Sequence, residues 1–128
     1  MAQSLNTHVD LTIRANSYLG LGTHGDVLVG DRAFEYYNEK NPEDFIQIPW
    51  DQVDHVAASV LFGGRWISRF AVFCKDGQGT YSFSTRDDKA TLRAMRAHLG
   101  AQRLVRSASF FQVVAAGFSG LVRSLTRR

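Results

Sequence analysis

The segment from Gly30 to Phe62, GDRAFEYYNEKNPEDFIQIPWDQVDHVAASVLF, constrains the fold more than any other stretch of the chain. It reads as a strand, an acidic loop, a second strand, an Ile-Pro-Trp corner and a third strand. Pro49 has no amide hydrogen to give to a ladder, so the strand that starts at Phe45 must end there. Asp51 is placed to cap a single turn that leads into Val53. Ile46, Ile48, Val53, Val56, Val60 and Phe62 then need a shared interior.

The flanking segments extend this pattern. Val9, Leu11 and Ile13 alternate with polar neighbours, the period of a half-buried strand. Glycine-rich Gly20–Asp26 predicts a hairpin connection into a strand at Val27–Val29, closed by a tight turn at Gly30-Asp31. Ala33–Tyr37 follows as a strand with Phe34 and Tyr36 on one face. Gly63-Gly64 joins Val53–Phe62 to Trp66–Cys74, and Asp76-Gly77 turns the chain into Thr80–Ser84. The expectation is an antiparallel meander of about seven strands.

After Ser84 the period changes. Thr85-Arg86-Asp87-Asp88 has capping-box spacing, with Thr85 expected to accept from the Asp88 amide. Leu92, Met95 and Leu99 mark the apolar face of a helix over 86–99, and Gly100 suits its exit. Lys89, Arg93 and Arg96 lie opposite, a basic stripe that starts at Arg86 and that Arg103 and Arg106 extend. Ser109–Arg128 predicts a second amphipathic helix, with Phe110, Phe111, Val114, Phe118 and Leu121 in its apolar arc. Gly117 and Gly120 each cost about 1 kcal/mol against alanine there, so this helix needs a surface to lie on. The expected division is residues 1–100 as the β-rich domain with its capping helix, and 101–128 as an amphipathic extension.

Charge is uneven along the chain. Residues 1–64 sum to −6 and residues 65–128 to +9 within the net +3. Such a split fits an anionic partner for the second half, or one half complementing the other. No helix reads a groove and no stacking aromatic pair accompanies the charge, so nucleic acid is not an expected partner. A single cysteine, Cys74, admits no internal disulfide, and neither a signal peptide nor a run of roughly 18 apolar residues is present, which points to the cytoplasm.

No catalytic set emerges. His8, His24, His55 and His98 share no metal-ligand spacing, so no metal or cofactor is expected. Strand alternation sends Asp54 and His55 to opposite faces, which excludes an oriented pair. Cys74, beside Phe73, reads as a buried structural thiol. Gly20-Leu21-Gly22-Thr23-His24-Gly25 copies a nucleotide fingerprint's spacing but precedes a strand rather than a helix. Candidate partner contacts are therefore surface ones: Phe110, Phe111, Val114, Phe118 and Leu121, oriented by Arg93 and Arg96, with Arg65-Trp66 beside the Gly63-Gly64 turn as an aromatic anchor. Arg123, Arg127 and Arg128 end the tail as candidate contacts with an anionic membrane surface. The chain's own barrel and a second copy of the chain are the other surfaces open to the tail.

Hairpin strands followed by a helix are the outline of a pleckstrin-homology-like (PH-like) barrel. Val27-Leu28-Val29-Gly30-Asp31-Arg32-Ala33-Phe34-Glu35-Tyr36, then Ile46-Gln47-Ile48-Pro49-Trp50 through Val56, resembles the bacterial PH and GRAM pattern. Phosphoinositide-binding members usually carry basic residues in the first hairpin loop; this loop has none. Asp44-Phe45-Ile46-Gln47-Ile48-Pro49-Trp50, Ala58-Ser59-Val60-Leu61-Phe62, Arg65-Trp66-Ile67-Ser68-Arg69-Phe70 and Ser109-Phe110-Phe111-Gln112-Val113 are similar to the DUF956 family over nearly the whole chain. That resemblance implies a non-enzymatic accessory or regulator of a mannose-type sugar phosphotransferase permease in Gram-positive bacteria, acting by protein–protein binding. The alternative is a peripheral module for anionic membranes.

Overall fold

The computed structural model describes residues 3–61 and 66–106. Eight strands form one sheet: β1 (Val9–Ser17), β2 (Thr23–Gly30), β3 (Ala33–Asn38), β4 (Phe45–Pro49), β5 (Val53–Leu61), β6 (Trp66–Cys74), β7 (Thr80–Thr85) and β8 (Leu104–Arg106). Helix α1 (Asp88–Leu99) lies between β7 and β8. The hydrogen-bonded order is β4-β3-β2-β1-β7-β6-β5-β8. The seven expected strands are present and antiparallel, but as two meanders, β1–β4 and β5–β7, joined by pairing of β1 with β7. β4 and β5 do not pair, because the Pro49 corner carries the chain away from the β4 ladder. The sheet is open at β4 and β8 rather than the closed barrel expected.

The eighth strand was not foreseen. Leu104, Val105 and Arg106 run parallel to β5 opposite Val56, Ala57 and Ala58. Three residues are too few to show a period, and a parallel pairing leaves no hairpin signal. Arg103 anchors this return by donating from Nη1 to the Val53 carbonyl at 3.1 Å. It therefore serves the fold rather than extending the basic stripe.

Phe34, Phe70 and Phe83 are fully buried and pack against one another, with ring centroids 5.0–6.1 Å apart. Val27, Val29, Val53, Val56 and Val72 surround them. Helix α1 lays Leu92, Met95 and Leu99 over one end of this interior. Burying a side chain of this size contributes about 1.5–3 kcal/mol, which explains why a helix of mixed composition is held firmly in place.

Three local expectations are corrected. The first connection is shorter than Gly20–Asp26, because β2 already begins at Thr23. Gly20 (φ 63°) and Gly22 (φ 88°) make the turn. Gly25 instead sits inside β2, where a Cβ would lie 1.9 Å from the Tyr37 carbonyl oxygen; its glycine reflects strand approach and not a loop. The α1 cap is Asp87, whose carboxylate accepts from the Ala90 amide at 3.1 Å. Thr85 takes the Asp87 amide at 3.2 Å, and the Asp88 carboxylate reaches back to the Thr85 amide at 2.7 Å. Only the returning arm of the expected box is present. The turn after Pro49 exists over Trp50–Gln52, but no side chain caps it, so Asp51 does not play that part. Trp50 holds the corner, donating from Nε1 to the Gly30 carbonyl at 2.9 Å.

The back of β3 is covered by the N-terminal segment. Glu35 is wholly buried, and its carboxylate accepts from Ser4 Oγ, the Leu5 amide, Asn6 Nδ2 and the Tyr37 hydroxyl. Asn6 also accepts the Arg32 and Ala33 amides. Asp31 takes the Thr7 and His8 amides and the Thr7 hydroxyl, and the Thr7 hydroxyl holds its carboxyl down to about 2.

Candidate binding groove

The histidines stay apart in the fold. His8 and His98 both approach Asp10, His98 at 2.7 Å with its ring stacked on Trp50. His24 pairs with Asn16. His55 stacks on Phe73 and meets Asp54 at 2.7 Å, against the expectation that strand alternation separates the two. The cause is a register shift between Val53 and His55, which places Asp54 as an extra residue against β6 and breaks the alternation. The pair is exposed, with no further ionisable group joined to it among the described residues. Cys74 is half-buried at the end of β6 rather than fully buried as expected, and desolvation there pushes its thiol up, away from nucleophilic reactivity. Among the described residues no group of three His, Cys, Asp or Glu side chains is arranged to hold a metal ion.

A groove of about 540 Å³ opens between α1, β5 and β8. Val56, Ala58, Val60, Ile67, Leu92 and Leu104 form its apolar floor, and Lys89, Arg93, Arg96 and Arg106 line its edges. The local cause is simple. Leu92 faces the core, so Lys89, Arg93 and Arg96, at offsets of four and three, share a neighbouring face of the helix. Arg106 follows from the alternation of β8. All four cations are exposed, and among the described residues none has an ion-pair partner. Elsewhere, Arg14 bridges Asp26 and Glu39, and Arg69 lies 4.8 Å over the Tyr18 ring. The acidic first half therefore does not neutralise the stripe on α1.

The expected contacts Arg93 and Arg96 are thus brought together over an apolar floor. Arg65 lies outside the described residues, as does the side chain of Trp66, whose backbone opens β6 opposite Leu61. Phe110, Phe111, Val114, Phe118, Leu121, Arg123, Arg127 and Arg128, with the helix expected over 109–128, also lie outside them. Arg106 joins the stripe as the sequence reading expected, whereas Val60, Ile67 and Leu104 were missed as site residues. Their contribution depends on β8 folding back beside β5, and no local spacing signals that.

A second exposed feature is the β1–β2 tip, where Leu19 is 56% and Leu21 fully exposed. Leu19 borders a shallow depression of about 310 Å³ with Phe45 and Tyr81. The tip, between β1 and β2, carries no basic residue. Among the described residues no helix is long and apolar enough to cross a membrane.

The fold has a solved counterpart. The chain is similar to the Vps36 N-terminal PH domain, with a TM-score of 0.52 over 70% of this chain and 79% of that one, at 18% identity. A likeness at that identity speaks for the PH-like fold alone. No curated protein is similar enough to match. The family model described as "Domain of unknown function (DUF956)" matches residues 1–118, which include every strand and the helix described above. The chain therefore belongs to the DUF956 family and carries a PH-like sheet with one C-terminal helix.

Proposed function

We propose that this protein is a non-enzymatic binding module that serves as an accessory or regulator of a mannose-type sugar phosphotransferase permease, docking on its cytoplasmic side. The observation that carries the binding part is the row of unpaired cations beside an apolar groove. Exposed apolar surface next to charge is the chemistry of a recognition surface. The permease as partner rests on the motifs that resemble the DUF956 pattern. Phe110, Phe111, Phe118 and Leu121 act as further apolar anchors in this reading, and Arg65 and Trp66 as an additional cationic and aromatic contact.

The test is co-purification of the tagged full chain with the permease under mild detergent. Retention that Arg93→Glu with Arg96→Glu abolishes supports the reading; no retention of the unsubstituted chain overturns it. The exposed Leu19 and Leu21 favour a second reading, shallow contact with an anionic bilayer, assisted by Arg123, Arg127 and Arg128. Sedimentation with permease-free anionic vesicles, lost on Leu19→Ser with Leu21→Ser or on Phe110→Ser with Phe118→Ser, would favour it over the first.

A further inference from the structure

We propose that the groove between α1, β5 and β8 receives an acidic, amphipathic segment of a partner protein, its apolar side chains on the floor and its carboxylates along the cationic edge. The inference rests on the reading of the chain as a binding module and adds the chemistry of what is bound. Charge complementarity selects the occupant. Lys89 and Arg93 stand four residues apart on α1, and Arg93 and Arg96 three apart, spacings at which like charges oppose helix formation. No carboxylate among the described residues relieves them. An anionic partner would relieve this repulsion, and an arginine desolvated against a carboxylate makes a strong, directional bond.

The arrangement also argues for a chain segment over a single headgroup. Lys89 to Arg96 spans roughly 10 Å along the helix at 1.5 Å per residue, and Arg106 comes from β8. The backbone positions that carry these cations thus extend along the groove, a length that suits a chain segment better than a single headgroup. Val60, Ile67, Leu92 and Leu104 supply apolar side chains to the same groove. Several alternating apolar and acidic residues satisfy both features together.

The test is fluorescence anisotropy of the full chain with a labelled dodecapeptide of alternating leucine and glutamate. The expected result is saturable binding that weakens at least tenfold with Arg93→Glu and Arg96→Glu together. Raised salt, and replacement of the peptide's leucines by serine, should also weaken it. Arg106→Glu, a change on β8, should weaken it as well, and unchanged melting of each variant shows that the fold is retained. No binding, binding that survives the charge reversals, or equal binding of the serine peptide overturns the inference. So does binding of the same groove, judged by the same variants, to phosphatidylglycerol vesicles in place of the peptide. If the peptide fails while the permease still co-purifies, this inference falls and the proposed function stands. If the peptide binds while the permease does not co-purify, only the permease assignment falls.

Discussion

Glu35 is the residue on which the N-terminal segment depends. Its buried carboxylate accepts four donors from Ser4, Leu5, Asn6 and Tyr37. Removing it strands those donors, so Glu35→Ala is expected to cost about 1–3 kcal/mol, read as a lower midpoint in urea. Asp31 acts beside it by a different route. Its carboxyl, held near 2 by the Thr7 hydroxyl and then by the His8 amide, is depressed relative to the unfolded chain. A depressed carboxyl contributes stability that is fully present above its unfolded value, near 4, and is lost as pH falls through about 2. Acid titration of the melting temperature should therefore show a limb between about pH 4 and 2. Asp31→Asn should flatten that limb; an unaltered limb would mean that the carboxyl is not paired as described. Neither role was legible in the sequence, because Glu35 sits in an alternating strand where a carboxylate reads as solvated.

Among the elements, α1 was the most readable and its first turn the least. Leu92, Met95 and Leu99 recur at helical spacing, and burial follows from that spacing alone. Which of Thr85, Asp87 and Asp88 caps the helix depends on where β7 releases the chain, and three adjacent capping residues leave the choice open locally. Asp87→Ala is expected to cost about 1 kcal/mol, measured by chemical denaturation. β2 makes the converse point. Gly25 looks like part of a turn, yet it lies opposite Asn38 in the β2–β3 ladder. Gly25→Ala would drive a Cβ into the Tyr37 carbonyl, so the expected outcome is a loss of stability above the 1 kcal/mol typical of point substitutions. A neutral result would require the two strands to separate without penalty.

Across the whole molecule, the charge split seen in the sequence becomes a spatial fact with a particular form. Among the described residues, no carboxylate of the acidic half pairs with Lys89, Arg93 or Arg96 on α1. Arg14 pairs within the first half, and among the described residues only His98 reaches from α1 to form an ion pair, with Asp10. Because Arg93 and Arg96 make no ion pairs among the described residues, reversing both should shift stability by no more than about 0.5 kcal/mol. Calorimetry of the double variant checks this, and a large loss would mean that the stripe is structural. The groove needs β8 beside β5, a contact between residues about fifty positions apart in the chain. The first seven strands, the Pro49 corner and the apolar face of α1 were determined by the sequence itself, since each follows from a local period or from what one residue's backbone can do. The closing strand, the buried Glu35 and the placing of cations beside an apolar floor were decided only in the tertiary structure. These depend on which distant segments meet, and no local spacing encodes such a meeting.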